Sequence, residues 1–291
     1  MLKRVAIYSK DSSEKTEKEV NRLITEFSRL GVEVFLYQRQ GEIVSQYDES
    51  VKRFVDLMLL PELPEMAISV GGDGTFLETA MNVKNAGIPI TGINTGRMGF
   101  LANIPADNIE KSIEILMAGK YSIIERCLLK LEKPDGLFSD IEMSALNEIT
   151  IQRADFGMIT IRVEVNGKHL NTYWADGLIV STATGSTAYN LSSGGPILSP
   201  EDPSIILSPI SPHNLTVRPI VLSGQSKLKL TAEGRSQEFL ITCDSRSKHV
   251  SFSEKIHISM DSLKLKTVML RGMDFYSTLR NKLMWGVDKR N

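Results

Sequence analysis

The sequence predicts an N-terminal open, doubly wound α/β domain and a C-terminal antiparallel β-sandwich-like domain. Three observations carry this. Short apolar strands alternate with amphipathic helices over the first 120 residues, a period-two pattern replaces the helical one from about 127 to 270, and helical spacing returns from Arg271 to Asn291. The expected division is 1–126 with 271–291 as the α/β domain and 127–270 as the β-rich domain.

Val5-Ala6-Ile7-Tyr8 is the first strand. Val20, Leu23, Ile24, Phe27 and Leu30 then recur at helical spacing, and Gly31 stands where a left-handed helix end belongs. Val32–Leu36 reads as a strand, and about 48–60 as a helix stopped by Pro61. Ala67-Ile68-Ser69-Val70 is a buried-type strand, 75–86 a helix closed by Gly87, and Ile88–Ile93 a strand with Pro89 at its entry. Asp107 and Glu110 are spaced as a capping box before Ile109, Ile113 and Leu116, and Gly119 ends that helix. Strands separated by such helices pair in parallel, and ligands of these sheets bind beyond the C-terminal strand ends.

In the second half Ile159, Ile161, Val163 and Val165 alternate with polar residues, and Asn166-Gly167 supplies the two positive-φ residues of a type I′ hairpin. Leu228-Leu230, Ile256-Ile258 and Leu263-Leu265 alternate likewise, and Phe275, Leu279 and Leu283 mark one face of a terminal helix. That last segment carries a net charge of +3, five basic against two acidic residues, which reads as a solvated or packed helix, with an anion-binding tail as the alternative.

Composition narrows the function. The chain of 291 residues is 42% hydrophobic and 24% charged, with 21 Gly and 11 Pro, an ordinary globular balance. A net charge of −1 supplies no basic field for nucleic acid, and no apolar run has the length of a membrane span, so neither partner is expected. The N-terminus runs into a strand without a signal-peptide core, and Cys127 and Cys243 stand far apart, which suits buried thiols in a reducing cytoplasm. His169, His213, His249 and His257 are scattered and read as structural or surface residues.

Gly71-Gly72-Asp73-Gly74-Thr75 stands between a buried strand and a helix. Glycines let backbone N–H groups close on a ligand, and a helix N-terminus adds unpaired donors, a combination suited to phosphate. No Gly-Lys precedes Ser or Thr, and no Gly-x-Gly-x-x-Gly occurs, so this is neither a Walker loop nor the dinucleotide fingerprint. An Asp in a phosphate turn repels the ligand. Asp73 therefore reads as facing a hydroxyl acceptor or a phosphate-bound metal, with helix N-capping as the structural alternative. Asn147-Glu148 interrupts an apolar run and could hold ribose hydroxyls as donor and acceptor, or merely end an exposed strand. The stretch from Ala175 to Pro196 joins a strand to a dense run of hydroxyls and glycines with one aromatic, Tyr189, a surface for hydrogen bonding and base stacking; a Gly/Ser linker is the alternative.

Gly71–Leu77, Asn94-Thr95-Gly96-Arg97-Met98-Gly99-Phe100-Leu101, Leu146-Asn147-Glu148 and Asp176–Pro196, in this order and spacing, closely resemble the bacterial NAD kinases. Pro212-His213 with Arg218-Pro219, and the ending Leu279–Gly286, resemble them too. The resemblance implies transfer of the γ-phosphoryl of ATP to the 2′-hydroxyl of the adenosine ribose of NAD, giving NADP, with a divalent cation, Mg²⁺ expected, accompanying ATP. It further implies a chain end that returns to the first domain and a homodimer or homotetramer.

The resemblance assigns Asp73 as proton acceptor and Gly71, Gly72, Gly74 and Thr75 to the ATP phosphates. The NAD pocket it implies comprises Asp73, Gly74, Phe100, Asn147, Glu148, Asp176, Thr187, Ala188, Tyr189, Asn190, Leu191 and Ser192. Met158, Trp174, Ser211 and Arg246 stand where the family's pocket varies. No dedicated metal cage is expected. Competing readings are a lipid or sugar kinase sharing the Gly-Gly-Asp-Gly turn, and a non-catalytic dinucleotide sensor.

Overall fold

A computed structural model describes residues 2–10, 13–38, 51–96, 99–139 and 143–284. Residues 48–50 of the expected second helix, Arg97, Met98, Trp285 and Gly286 lie outside these. The chain divides into two compact units, Met1–Glu125 with Leu265–Asn291, and Arg126–Lys264.

The first unit is built from β1 (Arg4–Ser9), α1 (Glu14–Arg29), β2 (Glu33–Tyr37), β3 (Lys52–Phe54), β4 (Met66–Gly71), α2 (Asp73–Val83), β5 (Ile90–Asn94), β6 (Ile104–Pro105), α3 (Ile109–Met117) and the start of β7 (Tyr121–Lys133). α1 starts where Ser13 Oγ accepts the Thr16 N–H, buries Val20, Leu23, Ile24 and Phe27, and stops before Gly31 at φ +74°. β3, β2, β1, β4 and β5 lie side by side in that order, all parallel, and β6 also pairs with β5. The chain winds outward from β1 to β3 and then returns to place β4 on the other side of β1. The strand order reverses there, which opens a crevice at the C-terminal ends of β1 and β4. Val5, Ile7, Met66, Ile68, Val70 and Ile93 pack with α1 and α3, whereas Gly92 faces Phe76 of α2. Alternate strand residues thus serve helices on opposite faces.

Two expectations in this unit are corrected. Among the described residues, 51–60 is not a helix. Lys52–Phe54 pairs with β2, Phe54 packs edge-on against Tyr8 and Tyr37, and only a single turn at Leu57–Leu59 follows. A free strand edge and an aromatic cluster outweigh a weak helical period. Asp107 and Glu110 form no capping box, since α3 follows a short turn over Ala106–Asn108 and its N-cap, Asn108, makes no side-chain cap bond. Glu110 is taken by Arg22 Nη2 at 2.7 Å, and this hydrogen bond holds its carboxyl below the usual range.

The second unit holds the remainder of β7, then β8 (Ser144–Ala145), β9 (Glu148–Arg153), β10 (Ile159–Val165), β11 (Lys168–Ala175), β12 (Gly177–Ser181), α4 (Tyr189–Ser192), β13 (Ile205–Ile210), β14 (Ile220–Leu222), β15 (Leu228–Glu233), β16 (Glu238–Cys243), β17 (Arg246–Ser251) and the first part of β18 (Lys255–Leu270). One antiparallel sheet runs β14-β13-β12-β9-β16-β17, another β11-β10-β15-β18, and β7 pairs with β8. Inward residues of both sheets form one core. It includes Ile149, Ile151, Leu178, Val180, Phe239 and Ile241 from the first, and Ile161, Val163, Leu228, Leu230 and Ile256 from the second. Asn166 and Gly167 have φ of +52° and +78°, as a type I′ turn requires. Leu263 departs from the expected alternation; it is 41% exposed, while Leu265 is buried.

β18 leaves the second unit at Lys264, and its last residues pair in parallel with β5 through Thr267 and Ile90. Val268 and Leu270 thereby join the core of the first unit, and α5 (Phe275–Leu283) follows, capped by Asp274. Of the expected apolar face of α5 only Leu279 is buried. Cys127 and Cys243 are buried free thiols. No helix among the described residues is long and apolar enough to cross a membrane.

Candidate functional site

In the first unit the glycine turn leaves β4 at the reversal of strand order and opens α2. Gly71 has φ +151°, and a Cβ there would run into the Thr75 side chain. Gly72 is the N-cap, without a side-chain cap bond, so Asp73 is the first residue of the helix and not its cap. Cβ atoms on Gly72 and Gly74 would meet nothing within 4 Å, so there is open space beside both glycines at the start of α2, where a helix leaves its first N–H groups without intrahelical partners.

The Asp73 carboxylate reaches across to the 99–102 loop. Oδ2 accepts the Phe100 N–H at 2.9 Å, and Oδ1 accepts Leu101 and Ala102 at 3.1 and 2.9 Å. Gly99 must be glycine, because a Cβ would occupy the position of the carboxylate itself. Asn94 fixes the same loop by donating to the Ala102 carbonyl at 3.1 Å, and Gly92 lets it approach, since a Cβ would lie 2.7 Å from Ala102 Cα. A carboxylate offers about four lone-pair positions. Oδ1 uses two and Oδ2 one, so Oδ2 retains capacity for a proton donor. Lys282 of α5 brings Nζ to 3.8 Å from this oxygen and 4.3 Å from the centroid of the Phe100 ring.

In the second unit Asn147 and Glu148 sit at the turn into β9, only 8% and 9% exposed, so the exposed strand end is not realised. Asp244, in the hairpin between β16 and β17, clamps this turn. Its carboxylate accepts the N–H groups of Leu146, Asn147 and Glu148 at 2.9, 2.8 and 3.2 Å. The 182–187 segment closes over it. Thr182 Oγ1 donates to the Leu146 carbonyl at 2.6 Å, Ser181 Oγ to that of Asn147 at 3.2 Å, and Gly185 sits where any Cβ would collide with the Asn147 carbonyl oxygen. Burial, and then the neighbouring Asp244 carboxylate, push Glu148 up to about 8, while a Tyr189 N–H contact pulls the other way. Burial likewise raises Asp244 above its ordinary value, against the pull of its backbone donors and Arg246. Glu148 Oε2 is buried without a hydrogen-bond partner. A protonated carboxyl with an unengaged oxygen can both donate to and accept from a sugar hydroxyl.

Asp176 and Tyr189 meet across a cleft of ≈ 430 Å³ lined also by Gln152, Arg153, Ala154, Asp155, Phe156 and Ile210. Arg153 Nε lies 2.9 Å from Asp176 Oδ1, and Gln152 Nε2 donates to the Tyr189 hydroxyl at 3.2 Å. Asn190 is fully buried. Its amide donates to the Ser186 and Pro196 carbonyls and accepts from Ser208 Oγ at 2.6 Å, so it locks the turn. Thr187, Ala188 and Leu191 are half-buried and Ser192 exposed. Met158 and Trp174 are 47% and 51% exposed, Ser211 is exposed at φ +46°, and Arg246 Nη2 donates to the Ser144 carbonyl at 2.8 Å. None of these four lines the cleft.

Asp244 and Lys282 were not singled out by the sequence. Asp244 stands in a tight turn, where Asp is ordinary, and Lys282 is one of several bases in a charged tail. No cluster of three or more His, Cys, Asp or Glu among the described residues is placed to hold a metal ion.

Residues 8–121 match the ATP-NAD kinase N-terminal domain and residues 146–270 the ATP-NAD kinase C-terminal domain. A NAD kinase of Cytophaga hutchinsonii is 45% identical over 229 residues, 78% of each chain. One of Flavobacterium psychrophilum is 39% identical over 293 aligned residues, covering 99% of this chain and 100% of the relative. The structure of an Archaeoglobus fulgidus NAD kinase in complex with ATP superimposes with a TM-score of 0.76 at 28% identity, covering 97% of this chain and 98% of that one. Yeast NADH kinase complexed with NADH superimposes with a TM-score of 0.84 at 22% identity, covering 99% of this chain and 89% of the other, and shares the fold. With both domain types matched in order, and relatives aligned from one end of the chain to the other, the protein belongs to the ATP-NAD kinase family.

Proposed function

We propose that the protein transfers the γ-phosphoryl group of ATP to the 2′-hydroxyl of the adenosine ribose of NAD, giving NADP. The observation that carries this reading is the Asp73 carboxylate, held by three backbone N–H groups at the mouth of an open glycine turn, with Oδ2 able to take one more donor. A phosphate turn needs no carboxylate; a hydroxyl acceptor does. Phosphoryl transfer is mainly positioning and charge stabilisation, so Asp73 orients the hydroxyl and accepts its proton as the P–O bond forms.

In this reading the Gly71–Thr75 backbone receives the ATP phosphates, Asn147 and Glu148 hold ribose hydroxyls, and Asp176 with Tyr189 receives another part of the dinucleotide. A divalent cation enters this reading with the substrate, as the ATP complex, in keeping with the preference of Mg²⁺ for phosphates. A homodimer or homotetramer is part of the same proposal, and a light-scattering mass tests it.

Purified protein given ATP, Mg²⁺ and NAD is expected to form NADP, and a folded Asp73→Asn variant to lose turnover. Phosphorylation of a lipid or sugar in place of NAD would establish the rival kinase reading. NAD binding without NADP formation, across phosphate donors and metals, would establish the sensor.

A further inference from the structure

We propose that Lys282 is a further catalytic residue, whose ammonium group binds the phosphoryl group in transit beside Asp73. The inference rests on the NAD kinase reading and adds a charge on α5 that neither the glycine turn nor the ribose holders supply. Lys282 Nζ lies 3.8 Å from Asp73 Oδ2 and 4.3 Å from the Phe100 ring centroid, and the Phe100 N–H is bound to that same oxygen. The ring and the carboxylate thus flank the ammonium beside Asp73 Oδ2.

Asp73 does not need this lysine as a hydrogen-bond donor, because three backbone N–H groups already engage its oxygens. Lys282 makes no hydrogen bond among the described residues, and its side chain and that of Asp73 are 31% and 32% exposed. An ammonium carries three donors, and this one stands next to a helix N-terminus that is itself partly positive. One carboxylate among the α2 N-terminus, three amides and an ammonium leaves a local excess of positive character, which an incoming phosphoryl group complements.

In the step, the ribose 2′-oxygen bonds to the γ-phosphorus and the bond from that phosphorus to the β–γ bridging oxygen breaks. ADP leaves with that electron pair, and the hydroxyl proton passes to Asp73 Oδ2. Lys282 keeps its proton throughout and holds a non-bridging oxygen.

The test compares wild type with Lys282→Met and Lys282→Arg in two measurements, steady-state NADP formation and calorimetric binding of inorganic tripolyphosphate. Lys282→Met is expected to lower kcat by roughly 10²–10³-fold, as for loss of one preorganised donor, with the KM for NAD within about threefold, and to weaken tripolyphosphate about two- to fivefold, the order of one exposed charge contact. Lys282→Arg should recover much of both. An active wild type with unchanged kcat in Lys282→Met overturns the proposal and leaves the NAD kinase reading standing. A wild type that makes no NADP overturns that reading; tripolyphosphate affinity then decides whether Lys282 serves a phosphoryl ligand at all. If Lys282 only neutralises Asp73, Lys282→Met has no effect on tripolyphosphate in an Asp73→Asn background, which also overturns the proposal.

Discussion

Asp73 and Glu148 are both carboxyl groups assigned to substrate hydroxyls, and their surroundings give them different work. Asp73 is one-third exposed and faces three N–H donors and a lysine. Exchange to Asn places an amide NH₂ against one or more of those donors. Asp73→Asn is therefore expected to lose about 10²–10⁴-fold in kcat and also about 1 kcal/mol in stability, the low end for an unsatisfied N–H because the site is partly solvated. Chemical denaturation beside the NADP assay separates the two effects.

Glu148 is buried beside another acid and lifted from 4.5 to about 8. Between those values the folded chain holds a proton that the unfolded chain has lost, so stability falls as pH rises through the window. Glu148→Gln removes that contribution. Its stability relative to wild type should climb from pH 5 to pH 8, as measured by urea unfolding at each pH. A difference that stays flat would show that Glu148 titrates normally.

At the scale of elements, two loops are held at fixed distance by glycines. A Cβ on Gly185 would strike the Asn147 carbonyl, which is backbone and cannot rotate away. Gly185→Ala is expected to cost about 1–3 kcal/mol, as overpacking does, and to raise the KM for NAD more than it lowers kcat, since it displaces the Asn147–Glu148 turn. Gly99→Ala should do the converse, lowering kcat through Asp73, whose place the new methyl would take. Kinetics of the two variants side by side test this division. The elements themselves were largely readable: α1 and the Asn166-Gly167 hairpin follow from periodicity and turn residues within a few positions. The expected helix near 51–60 failed because its competitor was remote, a β2 edge and the Tyr8 and Tyr37 rings.

At the scale of the whole molecule, the chain leaves the first unit after Glu125 and re-enters it at Leu265. A protein ending at Lys264 would lose Val268 and Leu270 from the first core, the β18 partner of β5, and Lys282. It is expected to unfold at lower urea concentration than the full chain and to form no NADP, with circular dichroism and the coupled assay as readouts. A truncated chain of unchanged stability would contradict the placement of β18.

Amino-acid order alone was enough for the two fold classes, the glycine turn between β4 and α2, and the polar Asn147-Glu148 pair before β9. Each depends on neighbours within a turn or a strand, where spacing and backbone freedom act directly. Folding was needed to reveal that Asp244 clamps Leu146–Glu148 from 96 to 98 positions away, that Asn190 faces inward, and that Lys282 meets Asp73. Burial, proton affinity and charge pairing are set by groups that only a closed chain brings together, and no local pattern encodes which distant residue arrives.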